Sequence, residues 1–539
     1  MGWDCFGETI SHLIVLKLTA KAIHNKSHKR RYLRDAKGVR MKVPPVLGRL
    51  ARPSAMIGTV AIGALALMSC ATMQTEDAQT ALSRADRAMG GAGVKTIRYA
   101  GSGTGTTFGQ AFQPNMTWPK IVYSSFSRVH DYDNGAFRED AARSRAEPTG
   151  GGGVPLMGAG EQRTTVLMRD NLAWNLAGPA PVAAPVAIHA RVHDLWTSPH
   201  GVIKAALKNK ASSHSHNDGG RALTAISFEQ AGYFKATAMI NAEGLVERVE
   251  SMLPHPVLGD TVVTTQYSDY KDFNGVKFPM RIRQSMARSE VLDLTVNEVE
   301  VNAVANIEVP ALVKTAAERV TAEKVTDGVW LMGGGSHNSV AIEMGDHMMV
   351  VEAPLYDGRT QAMLGEVKKL NSAKPIRFLV NSHHHFDHSG GLRSAASEGI
   401  ELVTSAQAKP FFERVMANPN RISPDALEKS GRRAVISAVD GKRVFTDGKR
   451  VAEAYFIEGG VHAQGFMMVY LPAEKLLIQA DAYTPGPPNS APPARVNDNH
   501  VNLVQNIERL KLNVERIIPL HGRVVPITEL YAGIGRTKP

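Results

Sequence analysis

Cysteine is almost absent from this chain, whose 539 residues include only Cys5 and Cys70. A disulfide framework is therefore excluded, and so is a zinc site built from cysteine thiolates. The chain has 19 histidines and 51 acidic residues. Any metal site must therefore be built from imidazole and carboxylate groups.

Long apolar runs are also scarce, and the uncharged run at 55–68 (AMIGTVAIGALALM) has fourteen residues. As a helix it would rise about 21 Å, which is short of the roughly 30 Å hydrocarbon core of a membrane. Lys42, Arg49 and Arg52 precede this run, and small residues close it. A basic segment, a short apolar segment and a small-residue cut site are typical of an export signal.

The end of this signal, Leu67-Met68-Ser69-Cys70, resembles a bacterial lipobox. The resemblance implies that Cys70 is the lipidated first residue of a mature lipoprotein. With Ala71 next, it implies the periplasmic face of the outer membrane. A cleaved signal that releases a periplasmic protein and an uncleaved anchor are the alternatives. Met41 is the better initiator, so we interpret residues 1–40 as a start-site artefact.

Positive charge is in excess only at the start of the chain. The net charge is +11, but residues 1–52 hold twelve Lys and Arg against three Asp and Glu, so the remainder is nearly neutral. A nucleic-acid-binding face needs a basic patch in the folded domain. We therefore expect a small-molecule substrate and no nucleic-acid partner.

Residues 71–310 show the alternating pattern of β-strands and no catalytic motif. Short helices are expected over 76–89 and near 187–208. The turn signals Asn241–Gly244 and Asn274-Gly275 predict hairpins and hence an antiparallel sheet. The strands are expected at 163–170, 224–230, 233–240, 245–253, 261–270, 276–286 and 291–301.

Three other features of this region have different interpretations. The stretch 267–285 resembles the half-barrel domains of outer-membrane lipoprotein carriers, which implies a concave apolar surface that cradles an acyl chain or merely tethers the catalytic domain. His214, His216 and Asp218 match H-x-H-x-D, but Gly219 replaces the final histidine, so we predict a solvated loop. The glycines of 150–153 predict a flexible loop without a phosphate site.

A histidine-rich motif follows a buried strand in the last part of the chain. The run 376–380 (IRFLV) is apolar and β-branched, as expected of a strand covered on both faces. After it, His383, His385, Asp387 and His388 form the pattern H-x-H-x-D-H. Two histidines at this spacing on extended chain project to one side and can chelate one ion, while the last two residues can face a second ion.

This motif resembles the first metal-binding motif of the metallo-β-lactamase superfamily. The family's later motifs follow in order: His462 in a glycine-flanked turn, Asp481 at the end of the strand 476–480, and His521 before Gly522. The resemblance covers about 318–525 and implies an αββα sandwich. The chain is thus expected to be an α+β multidomain protein with a leader (1–70), an antiparallel β-rich, half-barrel-like domain (71–310) and a catalytic domain (311–539).

The resemblance also implies the roles of individual residues. A first metal ion would be bound by His383, His385 and His462, a second by Asp387, His388 and His521, and Asp481 would bridge them. Nitrogen and carboxylate ligands favour two Zn²⁺ ions, with Fe²⁺ and Mn²⁺ as alternatives.

The expected activity is the hydrolysis of an ester, thioester, lactone or amide-type bond by a hydroxide held between the two ions. Asp387 would orient this hydroxide, Tyr483 would donate to the oxyanion and His337 would line the mouth of the site, although the last two are equally explained as ordinary wall residues. The proline-rich loop 485–493 forms a rim of the pocket or a simple crossover. A mononuclear iron persulfide dioxygenase and a non-catalytic lipid-binding lipoprotein are the alternative functions.

Overall fold

Alternation of apolar and polar residues along the first half of the chain produces one large antiparallel sheet, as seen in a computed structural model of the protein. The structure describes residues 76–147, 150–152, 160–176, 178, 180–490 and 495–538. The strands are β1 (Thr96–Thr106), β2 (Lys120–Asp131), β3 (Ala136–Glu147), β4 (Gln162–Arg169), β5 (Leu172–Leu176), β6 (Pro181–Ala183), β7 (Ser212–Asp218), β8 (Arg221–Gln230), β9 (Phe234–Ile240), β10 (Val246–His255), β11 (Gly259–Phe273), β12 (Val276–Met286) and β13 (Ser289–Val301).

The strand order of this sheet is close to a meander. Sequential strands pair in the order β6 to β1 on one side and β13 to β7 on the other, and the pairing of β1 with β13 joins the two halves. Asn274 and Gly275 both have positive φ and form the tight turn between β11 and β12, so the hairpin predicted there is confirmed.

Three helices accompany the sheet: α1 (Ala78–Ala88), α2 (Ile188–Trp196) and α3 (Pro199–Lys208). The single helix predicted near 187–208 is two helices, because Ser198 caps a new one by accepting a hydrogen bond from Gly201 N and Pro199 occupies its first turn. The apolar sides of these helices share a core with Phe126, Phe234 and Phe278 of the sheet. One face of the sheet is therefore covered.

The second half of the chain forms two further sheets. The first contains β14 (Thr321–Thr326), β15 (Val329–Gly333), β16 (Ser339–Glu343), β17 (Met348–Val351), β18 (Ile376–Val380), β19 (Glu401–Ser405) and β20 (Ile436–Val439) in this order. The second contains β21 (Lys442–Thr446), β22 (Val451–Phe456), β23 (Met467–Leu471), β24 (Leu476–Gln479), β25 (Arg516–Pro519) and β26 (Val525–Pro526) in this order.

A fourth helix of the large sheet, α4 (Ala311–Lys314), packs against β5 and β6, where Val313 shares a small core with Leu167 and Trp174. The helices that accompany the two smaller sheets are α5 (Asp357–Leu370), α6 (Phe386–Ser389), α7 (Leu392–Ser397), α8 (Lys409–Met416), α9 (Ala426–Ser430), α10 (Asp498–Arg509) and α11 (Ile527–Gly533). One core joins residues of both sheets, such as Val351 and Ile478, and a second core lies between the first sheet and α5, α7 and α8. The result is a four-layer αββα arrangement, so a mixed α/β protein with a large antiparallel sheet first is confirmed.

The loop predicted around His214 was wrong. His214, His216 and Asp218 lie on β7, an edge strand, although their side chains are solvated as expected and Asp218 pairs with Arg221 and Arg248. Between β14 and β15 the chain makes a tight turn at Gly328, which has positive φ.

The predicted export signal and Cys70 lie outside the described residues. Within the part of the chain that the structure describes, no helix has the length and hydropathy needed to cross a membrane.

Candidate metal centre

The H-x-H-x-D-H motif lies where a buried parallel strand ends. The last residues of β18 are buried, and the chain continues through Asn381 and Ser382 into the short helix α6. A buried carboxylate anchors this loop: Glu352, after β17, accepts hydrogen bonds from Asn381 Nδ2 at 2.8 Å and from Ser382 Oγ at 2.6 Å. The C-terminal ends of neighbouring strands thus place the motif at one edge of the sheet.

A first cluster of four candidate ligands is almost completely buried. His383, His385, His462 and Asp481 each present one ligand atom to a common point. His383 Nε2 lies 2.9 Å from His385 Nδ1 and 3.1 Å from His462 Nε2, and Asp481 Oδ2 lies 2.8 Å from His462 Nε2. The cluster brings together residues from the ends of β18, β22 and β24.

A second cluster lies beside the first. It consists of His337, Asp387, His388 and His521. His337 Nε2 lies 3.2 Å from Asp387 Oδ2, and His521 Nε2 lies 3.2 Å from His388 Nε2. The ring of His337 also packs against the ring of His521, with centroids 4.2 Å apart.

Asp481 connects the two clusters. Its Oδ2 atom lies 3.0 Å from His388 Nε2 and 3.3 Å from His383 Nε2, while its Oδ1 atom lies 2.8 Å from His521 Nε2. One carboxylate therefore contacts histidines of both clusters, which is the geometry that a bridging ligand requires. The structure thus brings together all seven side chains that the sequence suggested as ligands, and adds His337.

Hydrogen bonds on the far side of the rings determine which nitrogen faces the cluster. Ser382 Oγ donates to Glu352, so it accepts from His383 Nδ1 at 2.8 Å and leaves the lone pair on Nε2. His385 Nε2 donates to Ala111 O at 2.9 Å, and His521 Nδ1 donates to Ser336 O at 3.0 Å. Each ring therefore directs an unprotonated nitrogen inward.

This arrangement fits bound cations. The lone pairs of His383 Nε2 and His385 Nδ1 face each other at 2.9 Å, which is repulsive unless a positive charge lies between them. Ligands at about 2.0–2.1 Å from a tetrahedral zinc ion are about 3.3 Å from one another. The nitrogen–nitrogen distances of 2.9 to 3.2 Å are close to this value.

The protonation states also suit metal ligation. Burial holds the pKa of His383 and His385 well below the usual value, so both rings are neutral. Burial opposes ionisation of Asp481, but the nearby His388 and His462 outweigh it and hold the pKa of this carboxyl well below its usual range. Neutral imidazoles and ionised carboxylates are the forms that bind divalent metals.

His388 and Asp387 each shift the pKa of the other. Burial lowers the pKa of His388, but the carboxylates of Asp481 and Asp387 outweigh burial and raise it well above the usual value. The pKa of Asp387 is held well below its usual range, because His388 and the hydrogen bond from His337 outweigh burial. A cation binding here must displace the proton of His388, so metal uptake should release protons.

A loop from the large sheet completes the wall of the site, and sequence analysis missed it. After β1, Gln110 Nε2 donates to Asp387 Oδ1 at 2.7 Å, and Ala111 O accepts from both His384 and His385 at 2.9 Å. Gly152 N donates to Gln110 O at 3.1 Å. The segment 150–152, predicted to be a flexible loop, is therefore tied to the metal centre. Its glycines were the available signal, because they permit a close backbone approach.

The remaining predicted residues lie near the site in different ways. The side chain of His337 is 9% exposed and contacts Asp387 directly. Tyr483 is buried, its ring packs edge-on against His500, and its hydroxyl forms no hydrogen bond to either cluster among the described residues. Its role as an oxyanion donor stays a prediction. Part of the loop 485–493 lies outside the described residues.

The αββα fold and this donor set are those of a metal-binding domain. The family model of the metallo-beta-lactamase superfamily matches residues 332–521, a range that begins in β15 and ends at His521. The C-terminal part of this chain is therefore a metallo-β-lactamase superfamily domain.

The solved structures that are similar to this chain include metallo-β-lactamases at low identity. The metallo-β-lactamase from Pontibacter korlensis is 18% identical and covers 40% of this chain and 98% of its own, with a TM-score of 0.32. The enzyme from Hirschia baltica is 19% identical and covers 41% of this chain and 99% of its own, with a TM-score of 0.31. FIM-1 from Pseudomonas aeruginosa, in a mono-zinc form, is 22% identical over 40% of this chain and 93% of its own, with a TM-score of 0.30.

A curated protein is similar over a shorter range. The alpha subunit of 2,4-dinitroanisole O-demethylase from Nocardioides sp. (strain JS1661) is 24% identical over 169 residues, which are 31% of this chain and 48% of that protein. The chain thus spans about half the length of the curated relative that it matches.

Proposed function

We propose that the domain at 311–539 hydrolyses an ester, thioester, lactone or amide-type bond with two zinc ions. The observation that carries the proposal is the position of Asp481, whose two oxygens contact histidines of both clusters. The first ion would be held by His383, His385 and His462, and the second by Asp387, His388 and His521. The imidazole-rich donor set with its carboxylates favours zinc.

Two divalent ions, when bound, lower the pKa of a water molecule to about 7 and polarise the scissile carbonyl. The chain's own residues position the reactants. Asp387 is the most accessible carboxylate of the centre, with 33% of its side chain exposed against 14% for Asp481. Gln110 and His337 hold its two oxygens, so an ionised carboxylate with one orientation faces the entering substrate and orients the attacking water.

Metal analysis tests the proposal first. Protein produced from Ala71 onward contains all described residues, and we expect about two zinc ions per chain by plasma mass spectrometry. One iron per chain together with persulfide oxidation would instead support the dioxygenase. A metal-free chain at micromolar zinc would contradict both.

Activity of a bridging variant tests the role of Asp481. Asp481→Asn keeps the shape but removes the negative charge between the clusters, so we expect metal content and turnover to fall, turnover by more than about 100-fold. The panel would contain lactones, thioesters, aryl esters, cephalosporins and 2,4-dinitroanisole. Asp327→Asn is the matched control, since the side chain of Asp327 is 97% exposed and pairs only with Lys324 among the described ion pairs. Unchanged turnover in Asp481→Asn on the substrate that the wild type cleaves best would refute the assignment.

We further propose that the protein is exported and anchored in the outer membrane through a lipid on Cys70. The basis is the sequence pattern of 42–70 alone. Metabolic labelling with an alkyne fatty acid should tag the full-length protein and not its Cys70→Ser variant. Equal labelling of both proteins would exclude this anchor, and a soluble periplasmic product without label would favour a cleaved signal.

A further inference from the structure

A cavity of about 410 Å³ lies between the large sheet and the metallo-β-lactamase domain. Its volume is within the range of about 300–1,000 Å³ that is common for small-molecule sites. The sheet contributes side chains from β2, β10, β12 and β13, helix α2 covers one side, and the metallo-β-lactamase domain contributes Leu355, Phe386 and Asp387. Asp387 is the member of the metal centre that this cavity reaches.

The wall of the cavity is mainly hydrocarbon. Phe126, Leu253, Met286 and Leu292 line it from the sheet. At the boundary between the two regions, the ring of Phe108 packs edge-on against the ring of Phe386, with centroids 5.3 Å apart. Surfaces of this kind favour an uncharged hydrocarbon group, because each Å² of apolar area removed from water contributes about 25 cal/mol.

Three polar side chains of the wall have partners within the protein. The Arg128 guanidinium is paired with Glu139 at 2.7 Å and Asp194 at 3.1 Å, and Gln284 Nε2 donates to Thr265 Oγ1 at 3.2 Å. His255 Nδ1 accepts from the backbone N–H groups of residues 257 and 258. The lining cation and amide are thus engaged internally, which disfavours an anionic or strongly polar occupant.

The cavity extends to the candidate metal centre. Asp387 is part of its wall, and Asp387 Oδ2 lies 3.2 Å from His337 Nε2 of the second cluster. A group bound along the apolar wall would therefore end at the carboxylate next to the candidate metal ions. We infer that this cavity binds the hydrocarbon chain attached to the scissile carbonyl, so that the substrate is a hydrophobic ester or thioester. The inference rests on the hydrolase function proposed above.

Filling the cavity provides the test. Met286→Trp places a larger side chain in the cavity from the end of β12, and Ala190→Phe does so from α2. Met252→Trp is the matched control: Met252 is exposed and precedes Leu253 on β10, so its side chain lies on the opposite face of the strand from a residue that lines the cavity. Equal metal content and circular dichroism spectra would establish that all variants are folded.

The first readout is independent of catalysis. N-phenyl-1-naphthylamine is an uncharged, apolar fluorescent probe, and it can be titrated into the metal-free protein. We expect saturable binding to the wild type and to Met252→Trp, and binding weakened by about tenfold or more in both filled variants. Equal binding by all four proteins would overturn the inference.

The second readout is the dependence of hydrolysis on chain length. For p-nitrophenyl octanoate, kcat/KM should fall by about tenfold or more in Met286→Trp and Ala190→Phe, while p-nitrophenyl acetate should be cleaved as by the wild type. An equal loss for both esters would refute the acyl-chain assignment. If no ester is cleaved by any protein but the probe still discriminates the variants, the proposed hydrolase function fails while the apolar site remains.

Discussion

At the scale of single residues, the protonation of one histidine depends on a carboxylate that is not itself a candidate ligand. Glu352 is fully buried and has a positive φ of 75°, a conformation that costs a non-glycine residue energy. It accepts the Ser382 hydroxyl, which in turn accepts Nδ1–H of His383. This relay keeps the lone pair of His383 on the nitrogen that faces the cluster.

Replacing Glu352 should therefore weaken metal binding, although Glu352 is not a candidate ligand. In Glu352→Gln the new amide N–H can donate to Ser382, which lets the Ser382 hydroxyl donate to His383 Nδ1 and moves the ring proton to the inward nitrogen. We expect zinc affinity to fall by about 10–100-fold in competition with a chelating dye. Glu366→Gln on the outer helix α5 should bind zinc as the wild type does, and wild-type affinity in Glu352→Gln would contradict the relay.

A second residue-scale feature concerns stability rather than the site. His130 is 1% exposed, and neither of its ring nitrogens has a hydrogen-bond partner among the described residues. Its ring stacks on Phe137, with centroids 5.8 Å apart. Burial lowers the pKa of His130 to about 3, so the folded protein keeps this ring neutral.

The free energy of unfolding should therefore fall in acid. In His130→Phe this fall should be smaller, because the titrating group is removed. Between pH 6.5 and about 3 the unfolded chain binds a proton at His130 that the folded chain does not, so the free energy of unfolding falls as pH falls. At pH 5 this single group accounts for about 2 kcal/mol. Calorimetry of metal-free protein at pH 7.5 and 5 should show a smaller loss for His130→Phe than for wild type or for the exposed-site control His214→Phe. Equal losses would contradict the assignment.

At the scale of elements, the segment 150–152 of the large-sheet region packs against the candidate ligand His385. A Cβ atom added at Gly152 would lie 2.7 Å from Cε1 of His385 and 2.3 Å from Oε1 of Gln110. The His385 ring cannot move away easily, because its other nitrogen is held by Ala111 O. The close approach thus requires glycine at this position.

Gly152→Ala should therefore weaken the first metal site more than the second. His385 belongs to the first cluster only, so we expect metal content to fall from about two ions to about one per chain in dialysis at limiting zinc. Gly93→Ala is the control, since nothing lies within 4 Å of its added Cβ. Two tightly bound ions in Gly152→Ala would show that the loop does not support the site.

At the scale of the whole molecule, bound metal would link both sheets of the αββα domain. The candidate ligands follow β18 in one sheet and β22, β24 and β25 in the other, and without cations their lone pairs face each other. Ligand present at 1,000 times its dissociation constant stabilises a folded protein by about 4 kcal/mol. We expect EDTA to lower Tm by about 10 °C in calorimetry. EDTA should lower the Tm of the Asp481→Asn variant much less. A wild-type Tm that does not change with EDTA would argue against a tightly bound metal.

The sequence alone predicted the parts of the protein that depend on local patterns. Hydrophobic alternation predicted most strands from 221 to 301, and the run 376–380 matches β18 residue for residue. The resemblance to the metallo-β-lactamase motifs, which follow in order along the chain, implied the seven candidate ligands that lie together in the structure. The strands before residue 150 were missed, because glycines and small polar residues in β1, β2 and β3 weaken their alternation.

Only the tertiary structure decided how the first region of the chain takes part in the site. No local signal relates Gln110 to Asp387, 277 residues later, or Gly152 to His385, because such contacts depend on how the large sheet packs against the second domain. The sequence by itself determined which imidazoles and carboxylates are available as candidate ligands, and in which order they follow the strands. Packing of the two regions decided which nitrogen of His385 faces the cluster, how Asp387 is oriented and where an apolar cavity opens.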